Sequence, residues 1–141
     1  MKKKLTALLA LALSLAMMSG CSGARKLPEG MEEETVSQAA QAIVAQLLAG
    51  EYDAVAASFR DDLEQELSIT GQTVVDLMAT VEDAGAYVST DEILVLGGES
   101  KNFDEPYAAV AVYCEHEESD VIYELSLDMN LELIGLRAKE R

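Results

Sequence analysis

The sequence predicts an α+β domain, with N-terminal helices packed on a four-stranded antiparallel sheet. Up to Gly85, apolar residues recur every three or four positions, the period of a helix with one buried face. Beyond Gly85, apolar and polar residues alternate in four segments rich in Val, Ile, Leu and Tyr. Because the helices all precede the strands instead of alternating with them, an antiparallel sheet is expected.

Three helical regions are predicted before the sheet. The first begins at Thr35, which stands three positions before a glutamine in a capping-box pattern, and ends at Gly50. The region from Tyr52 to Leu67 forms one kinked helix or two short ones, with its apolar side chains in a single stripe. The third helix follows Thr70, and Gly85 stops it.

The four predicted strands are Tyr87–Leu96, Tyr107–Glu117, Val121–Asp128 and Glu132–Ala138. A turn at Glu118-Ser119 between the second and third strands makes one face of the hairpin apolar throughout. That register pairs Val110 with Leu127, Val112 with Leu125, and Cys114 with Tyr123. The opposite face then meets water with Ala111, Tyr113, Glu115, Glu124, Ser126 and Asp128.

The N-terminus has the layout of a secretory signal peptide. Three lysines at positions 2 to 4 precede the apolar run Leu5–Met18, and Ser19 and Gly20 precede Cys21. These last residues resemble the lipobox of bacterial lipoproteins, which implies cleavage between Gly20 and Cys21 and a lipid on the Cys21 sulfur. A membrane-spanning helix is the first alternative. It is disfavoured because the apolar run has fourteen residues, whereas a helix needs roughly 20 to cross a bilayer. An ordinary cleaved signal peptide remains as the other alternative.

These features divide the chain into three parts. Residues 1–20 are the predicted lipoprotein signal peptide, residues 21–34 are the lipidated cysteine and a flexible tether, and residues 35–141 are the α+β domain. The expected location is the cell membrane, with the domain lipid-anchored and facing outside the cytoplasm.

The charge of the chain restricts its partners. The formal net charge is −16, with 26 acidic residues. Nucleic acid is excluded, because phosphate binding needs clustered Lys and Arg. Adhesion of the domain to anionic lipid is disfavoured for the same reason, so the membrane contact is assigned to the lipid anchor. The acidity itself is interpreted as a solvated surface. With Cys21 lipidated, Cys114 has no partner for an intrachain disulfide and is expected to be a buried, unreactive hydrophobe.

A series of short motifs runs through the chain in a fixed order. These are Ala42-Ile43-Val44, Leu47-Leu48, Gly50-Glu51-Tyr52-Asp53, Phe59, Gly85-Ala86-Tyr87, Val110, Val112, Leu127-Asp128 and Ile134-Gly135-Leu136. In these motifs the chain resembles the family of domains of unknown function numbered 3887, over roughly Glu34 to Arg137. The resemblance implies the nuclear transport factor two-like superfamily, a cone of helices against a strongly curved sheet, and its members often occur as lipoproteins. The sequence departs from the pattern at Leu131, where such domains tend to have glycine in the final turn.

The leading interpretation is a binding domain that performs no chemistry and takes a small ligand or a partner protein. Its expected pocket is the concave face of the sheet, lined by Val110, Val112, Tyr123 and Leu125, with His116 at the rim near a strand end. An enzyme using His116 and a tyrosine as acid and base is the alternative. A third alternative is a structural module that forms a homodimer through the outer face of the sheet, at Ala109, Ala111 and Tyr113.

The acidic run Glu115 to Asp120 is consistent with a metal site or with a charged hairpin tip. The tip is preferred because calcium-loop and zinc spacings are absent from the sequence. We expect no metal, no cofactor and no catalytic residue.

Overall fold

The structure is a computed structural model that describes residues 26–100 and 103–141. The predicted signal peptide, Gly20 and Cys21 lie outside the described residues. The helices are α1 (Glu33–Leu48), α2 (Tyr52–Ala57), α3 (Asp61–Glu66), α4 (Gly71–Ala79) and a 3-10 turn (Glu82–Ala84), and the strands are β1 (Tyr87–Ser100), β2 (Phe103–His116), β3 (Asp120–Leu127) and β4 (Leu133–Glu140). Within these described ranges, no helix combines the length and apolarity needed to cross a membrane.

The four strands form one antiparallel sheet in the order β1-β2-β3-β4, which confirms the predicted α+β class. Helix α1 lies across β1, β2 and β3 on one face of the sheet, and α4 contacts β4. The core fills the space between them. Alternate side chains of β2 and β3 enter it, because successive residues of a strand point to opposite faces. Val36, Ala40, Ile43, Val44 and Leu47 enter the core from α1.

The hairpin between β2 and β3 has the predicted faces but a different register. Val110 pairs with Leu125, Val112 with Tyr123, and Cys114 with Val121. The predicted partners were therefore wrong by two residues, a shift that keeps every side chain on its face because the strand period is two. The cause lies at the hairpin tip, where the backbone N–H groups of residues 117 and 118 donate to the carbonyls of residues 86 and 84. The turn is thus centred one residue earlier than predicted, at Glu117-Glu118, and the His116 N–H donates to the Ser119 carbonyl across it.

The helices differ from prediction in three details. The first helix begins at Glu33 and has no side-chain cap, so the capping box expected at Thr35 is absent there; one is present instead at Thr70, the N-cap of α4. The third helix ends at Ala79 and a separate 3-10 turn follows it, so the helix stops before Gly85. The region after Gly50 forms two short helices, which was one of the two predicted alternatives. Leu67 lies beyond the second of them and is 64% exposed, so it does not belong to the buried stripe. Gly50 ends α1 with φ of 78°, as predicted.

The last part of the predicted tether lies against the domain. Leu27 and Met31 pack on the core. The carbonyl of Lys26 passes directly over Gly97 of β1, where any Cβ would overlap its oxygen. Gly97 therefore allows the chain to approach the sheet closely. The structured region begins several residues before position 35.

The turn between β3 and β4 contains Leu131 in the left-handed region, with φ of 65°. This is the position at which the sequence departs from the family's glycine. The turn keeps this conformation because Asp128 binds its backbone: the N–H groups of Asn130 and Glu132 donate to the Asp128 Oδ1 at 2.9 and 3.0 Å. Leu131 also packs against the core, which offsets part of the cost of its backbone conformation.

Candidate functional site

An apolar groove of about 470 Å³ lies between the C-terminal half of α1 and the first residues of β1. Small side chains at Ala45 and Ala49 create it, because they leave space between the helix and the strand. Tyr87 stands at its edge with 41% of its surface exposed. The groove is lined by Gln41, Val44, Ala45, Leu48, Ala49, Tyr87, Thr90 and Val112.

Among the residues that the structure describes, the lining of the groove carries no charged side chain, although the chain is strongly acidic. Its polar groups are the Gln41 amide and two hydroxyls at the β1 side. The Tyr87 hydroxyl and Thr90 Oγ1 lie 2.8 Å apart and form one hydrogen bond between them, so each retains further capacity for a ligand. The arrangement suits a largely apolar molecule with one hydrogen-bonding group.

Next to the groove, His116 is buried with only 7% of its surface exposed, so the expectation of a rim residue was wrong. Its Nδ1 lies 2.9 Å from the carbonyl oxygen of Gly85 and its Nε2 lies 3.1 Å from the Tyr123 hydroxyl. Because a carbonyl only accepts, Nδ1 carries the proton, and in the neutral ring Nε2 accepts from Tyr123. The ring is buried because the segment at Gly85 folds over the end of β2.

Tyr123 is fully buried, and burial raises the pKa of its phenol far above the usual range. The phenol therefore stays protonated and donates to His116. Tyr87 packs edge-on against the same imidazole, with ring centroids 5.9 Å apart. The His116–Tyr123 pair joins β2 and β3 to the Gly85 segment behind the groove, and neither residue lines it.

Cys114 is buried as predicted, with 1% of its surface exposed. Burial raises the pKa of its thiol, and a long contact of 3.8 Å with Thr90 Oγ1 opposes that rise. A thiol held in its protonated form is a poor nucleophile. Cys114 therefore acts as a small hydrophobic side chain that packs behind Thr90 of the groove.

The predicted pocket residues lie in the core. Val110, Val112, Tyr123 and Leu125 are each at most 2% exposed, and of these only Val112 lines the groove. The expected cavity at the centre of the sheet is thus filled by side chains, and open space lies at its β1 side. The small residues of α1 were the sequence signal for this position.

The acidic run at the β2–β3 tip makes structural bonds. The Glu117 carboxylate accepts from the Ala86 N–H at 2.9 Å, and Glu115 accepts from the Ser89 hydroxyl at 3.3 Å. Across the described part of the chain, no group of three His, Cys, Asp or Glu residues is arranged to hold a metal ion.

An ion-pair cluster that the sequence did not indicate lies at the opposite end of the sheet. Arg60 contacts the carboxylates of Asp62 at 2.7 Å, of Asp128 at 3.5 Å, and of Glu105. The hydrogen bond from Arg60 lowers the pKa of the Asp62 carboxyl. Asp128 was expected on the solvent face, but it is 3% exposed because it accepts bonds from the β3–β4 turn. The cluster fixes that turn beside α3.

A second apolar groove, of about 340 Å³, lies between α4 and β4. Its lining includes a charged group, the Asp76 carboxylate. It is lined by Phe59, Ile69, Thr73, Val74, Asp76, Leu77 and Leu136.

Comparison with known proteins places this α+β chain in a family. The model of the family described as protein of unknown function (DUF3887) matches residues 40–136. The chain therefore belongs to the DUF3887 family, and the resemblance noted in the sequence is confirmed. No curated protein matches the chain.

One solved structure is similar, the NMR structure of a protein from Ruminococcus gnavus ATCC 29149. The two are 24% identical, with a TM-score of 0.65, and the alignment covers 79% of this chain and 94% of the other. The similarity supports the fold.

Proposed function

We propose that this DUF3887 protein is an extracytoplasmic domain, anchored to the membrane by a lipid on Cys21, that binds a ligand in the groove between α1 and β1. The observation that carries the anchor is the N-terminal layout: three lysines, the apolar run Leu5–Met18, and Ser19-Gly20 before Cys21. A lipid is needed for attachment because the acidic domain is repelled by anionic headgroups. Cleavage before Cys21 would place the modified cysteine close to the folded domain.

We further assign the fold to the nuclear transport factor two-like class. Support comes from the sequence resemblance and from the arrangement of α1 across one face of a four-stranded antiparallel meander. Shifts in register within β1, between Tyr87 and Ser89 and between Thr90 and Glu92, favour bending of that strand around the helices.

Ligand binding is favoured over catalysis by the position of the titratable groups. Within the described part of the chain, the lining of the groove contains one titratable side chain, Tyr87, and none that could act as a base near neutral pH. His116 is engaged through both ring nitrogens. An acid–base enzyme needs a titratable group aimed into its pocket. The groove instead offers an apolar surface and neutral hydrogen-bonding groups.

Fractionation of the host cells tests the anchor. We expect the wild-type protein in the membrane fraction, resistant to high salt and released by detergent. Cys21→Ala should move it to the soluble fraction or leave it as uncleaved precursor, whereas Cys114→Ala, the matched change at the other cysteine, should keep it membrane-bound. A Cys21→Ala protein that is processed and still resists salt would contradict the anchor.

Filling the groove tests the binding proposal. Ala45 and Ala42 are both exposed on α1, but only Ala45 lines the groove. With Nile red as an uncharged apolar probe, Ala45→Phe should abolish most of the fluorescence gain that the wild type gives, and Ala42→Phe should preserve it. Equal dye binding by the two variants would show that the dye does not occupy this groove.

A further inference from the structure

The segment that leads to the anchor is fixed at one end of the sheet. The Lys26 carbonyl lies over Gly97, and Leu27 is partly buried against the core. A Cβ on Gly30 would lie 3.5 Å from the Cε of Met129 in the β3–β4 turn. These contacts hold the start of the described chain against both β1 and the turn.

The groove lies toward the other end of the same sheet. Gly97 pairs with Ala108, and Ala108 pairs with Leu127, so these residues mark one end. Tyr87 pairs with His116 at the other end, and Thr90 of the groove is seven positions from Gly97 along β1. At the rise of a β-strand, that separation is roughly 20 Å.

The link between anchor and domain is short. Five residue steps separate Cys21 from Lys26, and a chain of that length spans no more than about 18 Å whatever its conformation. A lipidated Cys21 at the bilayer surface would hold the Gly97 end close to the headgroups. The domain could not turn over without releasing Lys26 and Leu27 from the sheet.

We infer that the Gly97 end of the sheet faces the bilayer and that the α1–β1 groove opens away from it, so that its ligand arrives from the aqueous phase and not from the membrane lipids. The inference rests on the proposed lipidation of Cys21. This orientation identifies the aqueous phase as the source of the ligand. It excludes lipids that are extracted from the bilayer directly beneath the domain.

Energy transfer to labelled lipid tests this orientation. Met129, 40% exposed, lies at the Gly97 end, and Glu118, also exposed, lies at the hairpin tip of the other end. The lipidated protein carrying Met129→Cys or Glu118→Cys is labelled with a maleimide donor and added to vesicles that contain a headgroup-labelled acceptor lipid. The protein without either substitution is treated in the same way, and its signal measures the background from labelling of the buried Cys114. We expect several-fold stronger transfer from position 129.

Equal transfer from the two positions, or stronger transfer from position 118, would overturn the orientation. A control protein with 20 Gly-Ser residues inserted after Arg25 should lose the difference, because such a linker reaches about 25 Å and lets the domain rotate. The mass of the N-terminal peptide is measured on the same samples. An unmodified Cys21 with no vesicle binding identifies failure of the anchor proposal, whereas a lipidated, vesicle-bound protein with the wrong transfer pattern refutes the orientation alone.

Discussion

The Tyr123 hydroxyl lies 3.1 Å from Nε2 of His116, and both side chains are enclosed in the core. The second ring nitrogen of His116 reaches the Gly85 carbonyl, so one imidazole connects the two central strands to the segment that enters β1. Since Tyr87 and Thr90 follow directly, this connection positions the β1 side of the groove.

Tyr123→Phe should destabilise the fold by about 1–3 kcal/mol, because the buried Nε2 of His116 loses its hydrogen-bond donor without gaining solvent. Tyr113→Phe is the matched control, since Tyr113 is half-buried and its ring contacts Arg141 at 5.6 Å. That change should cost less than about 0.5 kcal/mol. Urea unfolding of both variants gives the two values, and equal losses would mean that the His116 contact contributes nothing.

Asp128→Ala should destabilise the fold by roughly 2–4 kcal/mol, because two turn N–H groups and Arg60 lose the same buried acceptor. Asp62→Ala removes an exposed carboxylate from the same arginine and should have little effect on stability. Thermal unfolding compares them. If Asp62→Ala were the more damaging change, the cluster would be stabilised mainly by its surface ion pair.

Gly97→Ala should release residues 26 and 27 from the sheet, because the added Cβ overlaps the Lys26 carbonyl. The measurement is the rate of trypsin cleavage after Lys26, which we expect to rise several-fold. Gly135→Ala is the control, since its Cβ would meet only the Ser126 side chain at 3.3 Å. Unchanged cleavage in the Gly97 variant would mean that residues 26 and 27 are not held on the sheet.

Glu92→Gln should stabilise the protein at neutral pH. Burial raises the pKa of Glu92 above its ordinary value of 4.5, and its buried Oε1 has no hydrogen-bond partner among residues 26–100 and 103–141. A carboxyl with a raised folded-state pKa binds its proton more tightly in the folded state, so stability is lost as the pH rises from about 4.5 through that pKa. The gain at pH 7 should be roughly 0.5 kcal/mol, because the group is only partly buried.

The same variant should show almost no gain at pH 4, where Glu92 of the wild type is protonated in the folded state. Glu34→Gln, at an exposed position in the first turn of α1, is the control and should show no gain in stability at pH 7. Denaturant unfolding at the two pH values separates the variants. A gain that is larger at pH 4 than at pH 7 would reverse the assigned sign.

The order of helices and strands could be predicted because apolar residues recur every three or four positions in a helix and every second position in a strand. The face of each hairpin residue followed from alternation, but the pairing did not. It depends on backbone bonds from residues 117 and 118 to residues 86 and 84, about thirty positions away, which no local pattern reveals. The capping box was likewise assigned to Thr35, because pattern alone did not favour the real one at Thr70.

The site was harder to predict for the same reason. His116 was assigned to the rim from its place near a strand end, and it is buried by the chain that covers it at Gly85. Arg60 and Asp128 are 68 positions apart, and their contact depends on how α3 lies beside the β3–β4 turn. The groove arises from missing side-chain volume at Ala45 and Ala49, which a search for reactive residue types does not detect.

Lipidation of Cys21 can be read from the mass of the N-terminal peptide of the membrane-bound protein. We expect a mature chain that begins at Cys21, with diacylglycerol on the sulfur and a mass above that of the bare peptide. A membrane-bound protein whose N-terminal peptide retains Met1, or begins at Cys21 with no added mass, would contradict it.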